Sequence, residues 1–209
     1  MMSEPRSGVH WVSAGDSPFG VDVLDCRAFS QSMISTTQDQ RIADSYLNLR
    51  ASSGEQYRGC APENAVACEC DLRYPHMAEL RDGPLFKAQA MEDKWDIYLY
   101  DGYLYFARSW TGLLAFRARV LPDDDGMNVV GVEAGAGVPD GDPFYCVAAV
   151  DFLIRSHLLG LPVAHPLPKD VGKDANELTM FSFSQFGRWA RFGTFADTTR
   201  LGPAAGEDV

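Results

Sequence analysis

Arg108-Ser109-Trp110-Thr111-Gly112 sets a guanidinium beside an indole at the end of an aromatic-rich run. A corner of this kind can grip a carboxylate or phosphate with the arginine fork and offer the tryptophan as a flat stacking surface. The same residues have a structural use, in which Trp110 plugs one end of a sheet. Tyr98, Tyr103 and Tyr105 upstream, and Arg117 downstream, add phenols and a second guanidinium on what reads as one face of the same sheet. Arg108, Trp110, Tyr98, Tyr103, Tyr105 and Arg117 are therefore the candidate ligand-binding set.

Other reactive residue types fall into weaker patterns. Gly135, Gly137 and Gly141 precede a helix, where a glycine loop can cradle phosphate. The spacing misses the dinucleotide fingerprint, the strands before it form no βαβ unit, and Asp140 and Asp142 would repel an anion. A plain loop is the better reading. Asp123 to Asp125 lacks the alternating ligands of a calcium loop and reads as a solvated hairpin tip. His165, between prolines, has no neighbouring nucleophile motif and reads as structural. Cys60, Cys68, Cys70 and His76 do not keep zinc spacing, which leaves about two to four residues between paired cysteines. No metal and no cofactor are expected, and no motif names a catalytic residue.

The elements that must position these groups are legible. Asp101-Gly102 between two aromatic runs is a strong hairpin signal, because a type I′ turn needs positive φ at both centres. It pairs Trp95–Tyr100 with Tyr103–Arg108. Further reversals at Gly112 and Gly126 extend the pair into a four-stranded meander over 113–121 and 127–133. Alternation puts Trp95, Ile97, Leu99, Leu104, Phe106, Leu114, Phe116, Ala118 and Val120 on a core face, with tyrosines and arginines on the other. Ala65 to Tyr74 alternates as a half-buried strand whose cysteines act as small hydrophobes. A strand is also expected over 22–27, and one or two short helices between Pro75 and Glu92.

Two longer helices are expected. One starts at a Thr37 cap with Gln40 at the capping-box position, presents Ile42, Tyr46 and Leu49, and stops at Gly54. The other runs from Pro143 to Leu159, capped by Asp142 and ended by Gly160. It is apolar almost all round and should lie buried across the meander, with Asp151 and Arg155 paired on its one polar stripe. Phe181 and Phe183 alternate as in a strand; Phe186, Trp189, Phe192 and Phe195 then recur every third residue.

The chain has 209 residues, 46% of them hydrophobic, and a formal net charge of −11. That length supports one α+β domain over 10–201, with frayed ends at 1–9 and 202–209. The acidic balance makes nucleic acid a poor partner and suits a basic protein. The first residues lack the pattern of a signal peptide, no apolar run matches a membrane span, and the cysteines read as reduced thiols. A cytoplasmic protein is expected.

Trp95-x-Ile97-Tyr98, then Leu104-Tyr105-Phe106-x-Arg108-Ser109-Trp110-Thr111-Gly112, resembles a signature of a bacterial protein family without an established activity. Met33-Ile34-Ser35-Thr36-Thr37 is similar to that group as well. The resemblance implies no catalytic residue; it raises the standing of the arginine corner. The fold expected is α+β, a central antiparallel meander packed against a long buried helix. Two functions are expected: a non-enzymatic binding module of immunity or regulatory type engaging a partner protein, or an enzyme or sensor for a small anionic or nucleotide-like ligand at the Arg108/Trp110 corner.

Overall fold

A computed structural model describes residues 8–75, 80–123, 126–135, 142–169 and 171–204. Its strands in chain order are β1 (His10–Val12), β2 (Val23–Asp25), β3 (Val66–Pro75), β4 (Gly83–Phe86), β5 (Trp95–Tyr100), β6 (Tyr103–Arg108), β7 (Leu114–Asp123), β8 (Gly126–Ala134), β9 (His165–Pro166) and β10 (Phe192–Thr194). The α-helices are α1 (Arg27–Ser30), α2 (Gln40–Ala51), α3 (Pro143–Leu153) and α4 (Ala175–Phe186). The contacts divide the chain into two compact units, a continuous one over Thr36–Val150 and one built from Met1–Ser35 with Asp151–Val209. The class is α+β. Among the described residues no helix is long and apolar enough to cross a membrane.

The continuous unit holds a six-stranded sheet in the order β3-β8-β7-β6-β5-β4, antiparallel throughout. The expected meander forms its middle. Asp101 and Gly102 have φ of 50° and 75°, which closes the hairpin as a type I′ turn. Ile97, Leu104, Phe106, Phe116 and Ala118 are buried on the aliphatic face. A bulge between Phe106 and Ala107 brings Ala107 opposite Leu114, so Leu114 joins the tyrosine cluster instead of the aliphatic face. Among the described residues between Pro75 and Glu92, β4 stands where short helices are expected, because Pro84 and Phe86 pair with Tyr98 and Ile97 on the sheet edge. Residues 76–79, His76 among them, lie outside the described residues.

α2 lies in the same unit. Asp39, not Thr37, is its cap, accepting from Arg41 N at 2.9 Å, while Thr37 Oγ1 accepts from Asp39 N one turn earlier. Tyr46 is buried, whereas Ile42 is exposed, so the inward stripe is narrower than its apolar spacing implies. After α2, Gly54 takes φ +86°, and the chain turns back onto the sheet at Tyr57.

The other unit carries a four-stranded sheet, β1-β2-β10-β9, with β9 and β10 parallel. Val9, read with the frayed N-terminus from sequence, is buried with Leu24, Phe29, Leu178 and Phe183. Phe181 and Phe183 belong to α4 and not to a strand. Asp174 caps that helix by accepting from the backbone of Asn176 and Glu177, and Leu178, Ser182 and Phe186 then share its buried face at four-residue spacing.

The chain passes from one unit to the other within α3. The first half belongs to the continuous unit, and its Tyr145 and Cys146 are buried. The second half continues from Ile154 to Leu158 as π-helix, with Leu159 N donating to Ile154 O at 3.1 Å. Gly160, at φ +65°, stops it. Asp151 and Arg155 pair at 3.3 Å, and Arg155 also donates to Thr198 O and Leu201 O at 3.1 and 2.6 Å. A buried guanidinium thus has acceptors on both edges.

Candidate functional site

The Arg108 corner is built where β6 runs out. Arg108 N donates to Leu113 O and Gly112 N to Arg108 O, which folds Ser109–Thr111 into a tight loop. Direct pairing of Trp95 with Arg108 puts both side chains on the aliphatic face, and the guanidinium lies 4.7 Å from the Trp95 ring centroid. Parity along β6 has the same consequence, because Leu104, Phe106 and Arg108 share a side. Arg108 therefore lies on the aliphatic face and not the tyrosine face, and it is half-buried. Burial pushes its pKa down to about 10, against a smaller effect of Tyr145.

Lys94 is the neighbour that sequence reasoning passed over. It precedes β5, and its carbonyl accepts from Ser109 N at 3.1 Å. Its ammonium sits 4.5 Å from the Trp110 ring centroid and donates to Met91 O at 2.9 Å. Trp110 Nε1 donates to the same carbonyl at 2.8 Å. Asp93 shapes this loop by accepting from Gln89 N and Ala90 N, while Ser109 Oγ reaches Asp93 O at 2.6 Å. The corner is thus a cation–indole pair on each side, Arg108 over Trp95 and Lys94 over Trp110. Burial, and then the Arg108 charge, push the Lys94 amine down to about 8. Its signal in the sequence was a lysine immediately before the first aromatic of the hairpin.

The tyrosine face is covered by the chain's own segment after α2. Tyr98 and Tyr105 are fully buried and Tyr100 nearly so, packed with Tyr57. Gly54 presses on Tyr98 so closely that a Cβ there would overlap the ring. Tyr105 OH accepts from Gly59 N at 3.0 Å, Tyr100 OH donates to Ser53 O at 3.0 Å, and Tyr57 OH donates to Gly112 O at 2.9 Å. Tyr103 remains half-buried, with the Arg117 guanidinium 4.9 Å from its ring centroid. Arg117 is committed to Glu133 through two bonds of 2.8 Å and to Cys60 O at 3.0 Å. The structure therefore brings Tyr98, Tyr103, Tyr105 and Arg117 together, and places Arg108 on the opposite face of the sheet.

Beneath the tyrosines lies a buried polar knot. Lys87 Nζ donates to Asp96 Oδ2 at 2.8 Å, to Tyr98 OH at 2.6 Å and to Leu49 O at 2.7 Å. Tyr98 OH donates to Asp96 Oδ2 at 3.2 Å, and Ala88 N donates to Oδ1 at 2.8 Å. Burial, followed by the Asp96 charge, raises the Tyr98 pKa, so the phenol stays protonated. An acid, a base and a phenol within bonding distance have the makings of proton-transfer chemistry. Here each is satisfied internally, and the knot fastens β4 and α2 to β5.

His165 is fully buried, its Nε2 2.8 Å from Ser182 Oγ and its ring against Phe152 and Phe186. Burial pushes its pKa down to about 3, leaving a neutral imidazole suited to packing. Among the described residues no group of His, Cys, Asp and Glu side chains is gathered to hold a metal ion. Comparison of the chain with protein-family models, with curated proteins and with solved structures finds no match.

Proposed function

We propose that this protein is a non-enzymatic binding module, of immunity or regulatory type, that engages a basic partner protein in the cytoplasm. One observation carries the reading: the side chains able to do chemistry on the six-stranded sheet are spent on internal bonds. Tyr98, Asp96 and Lys87 satisfy one another, and Arg117 is held by Glu133. What the unit offers outward is charge, with Glu63, Glu69 and Asp82 exposed, and Asp71 and Asp101 exposed but paired with Arg73 and Arg58, in a chain of net charge −11. Such a surface speeds and orients encounter with a positive partner. The free thiols fit a reducing compartment.

The test is to isolate the partner by cross-linking in cells, purify it, and measure association by sedimentation. A saturable complex of fixed stoichiometry is expected, weakening as salt rises and on joint Glu69→Lys and Asp71→Lys substitution. Association indifferent to both would overturn the reading.

A second reading, a sensor or enzyme for a small anionic or nucleotide-like ligand, draws support from the cations at the Arg108 corner. Arg108 acts on Lys94 strongly enough to lower its pKa, and an anion between them would relieve that repulsion. Titration with ATP tests it: saturable quenching of tryptophan fluorescence that Lys94→Met removes would favour this reading over the first.

A further inference from the structure

The unit formed by the two ends of the chain carries an open groove of about 490 Å³ lined by Gly8, Asp25, Arg27, Ala28, Gln31 and Ser32. Small-molecule sites span about 300–1,000 Å³. The groove owes its chemistry to strand pairing. β2 ends at Asp25 opposite Phe192 of β10, and Cys26 N donates to Arg191 O at 2.9 Å. That register brings two arginines, Arg27 and Arg191, to the same end of the sheet.

Asp25 holds Arg27 in one orientation. Its Oδ1 accepts from the Arg27 backbone at 3.0 Å and from Nε at 3.1 Å, and its Oδ2 accepts from Nη2 at 2.8 Å. The guanidinium also lies 4.6 Å from the Phe192 ring centroid. The carboxylate side chain is only 8% exposed and the arginine 43%, so a buried anchor aims a solvent-facing cation. This arrangement resembles a preorganised clamp, in which a guanidinium keeps its geometry before a ligand arrives.

Arg191 supplies the second cation. With the Gln31 amide turned so that its oxygen faces Arg191, it accepts from Nε at 3.1 Å and from Nη2 at 3.3 Å. No carboxylate among the described residues pairs with Arg191. Burial, and then the Arg27 charge, lower its pKa, which places the two guanidinium groups within electrostatic reach. Arg27 and Arg191 thus gather two cations at this end of the sheet, with the Asp25 carboxylate bonded to the first.

We propose that this groove binds the carboxylate of a small molecule, with Arg27 and Arg191 as the anion clamp and Gln31 positioning Arg191. The Asp25 carboxylate beside the two cations disfavours a second negative charge on the ligand, which favours a monoanion. A phosphate dianion would meet the Asp25 carboxylate with twice the charge. The inference is independent of the partner-binding surface, since every residue in it belongs to the other unit.

The test uses the full-length, nitrogen-15-labelled protein, titrated with acetate and separately with inorganic phosphate, ionic strength being held constant with sodium chloride. Acetate should shift the Nε–H signals of Arg27 and Arg191 and the Gln31 side-chain amide along one saturating curve. Arg191→Gln should weaken that binding at least tenfold, whereas Arg50→Gln, on α2, should leave it unchanged. If Arg191→Gln fails to fold, Arg191→Lys, which keeps the charge and loses the fork, should show the same weakening. Shifts that never saturate, or an Arg191 variant that titrates like wild type, would overturn the site. Tighter binding of phosphate than acetate would overturn the carboxylate assignment.

Discussion

Arg108 and Trp95 stand directly opposite each other across β5 and β6, the guanidinium stacked 4.7 Å from the indole centroid. The aliphatic face has therefore accepted a half-buried cation at the end of β6, where it would normally place an aliphatic side chain. Flat packing and the ring quadrupole offset part of the desolvation. Arg108→Ala should lower stability by about 1–3 kcal/mol in urea unfolding, far more than loss of an exposed arginine. A loss under about 0.5 kcal/mol would mean that the stacking contributes nothing.

Lys94 predicts a pH dependence. Its folded pKa, about 8, lies below its ordinary value of 10.5. Between those values the unfolded chain holds the proton and the folded one does not, so this group's contribution to stability rises with pH across that window. The raised thiols of Cys26 and Cys146 act oppositely above pH 9, because there the unfolded chain loses protons that the fold retains. The difference between wild type and Lys94→Met isolates the lysine. Relative to the variant, wild type should gain up to about 3 kcal/mol from pH 8 to 10.5, read from urea midpoints. A flat difference would mean that Lys94 titrates normally.

Gly54 and Gly59 form a natural control pair, with φ of +86° and +75°. A Cβ at Gly54 would run into the Tyr98 ring, whereas at Gly59 it would meet nothing within 4 Å. Gly59→Ala should cost about 1 kcal/mol, from backbone conformation alone. Gly54→Ala should cost at least about 2 kcal/mol more, since the buried tyrosine must be displaced. Equal losses in thermal unfolding would show that the segment after α2 does not seat on Tyr98.

Thiol reactivity should follow burial. Cys60 is exposed, Cys70 half-buried, and Cys26, Cys68 and Cys146 buried. Burial pushes Cys26 up to about 11 and Cys146 up to about 12, which suppresses the reactive thiolate. With Ellman's reagent at pH 8, Cys60 should react first and Cys70 more slowly, while the remaining thiols wait for denaturant. Rapid release from all five cysteines in native buffer would contradict the packing.

Local signals were legible where a single residue type sets the backbone. Asp101-Gly102 fixes its turn, and alternation along β5 and β6 marks the buried set. β4 was not legible, because Gly83–Phe86 is short, begins Gly-Pro and becomes a strand only by pairing with β5. Phe181 and Phe183 misled because alternation over three residues fits a strand as well as a helix. Asp174, which accepts two backbone N–H groups, decided for helix. Within the candidate site, the parity of Arg108 was readable along β6. The cover over Tyr98 and Tyr105 was not, because nothing in their own sequence says that Gly54 and Tyr57 fold back onto them.

The sheet β1-β2-β10-β9 is assembled from opposite ends of the chain, since β10 sits between β2 and β9. During synthesis β1 and β2 emerge well before β10, so β2 must wait until Phe192–Thr194 leaves the ribosome before its second neighbour exists. The intervening Thr36–Val150 stretch, with hairpin-linked strands, can collapse meanwhile through short-range pairing. A chain released before Phe192 would therefore carry a finished Thr36–Val150 unit and an unclosed second unit, with the edge of β2 bare. Such an edge invites pairing with other chains. The arrival of β10 thus sets whether this sheet is closed or adhesive.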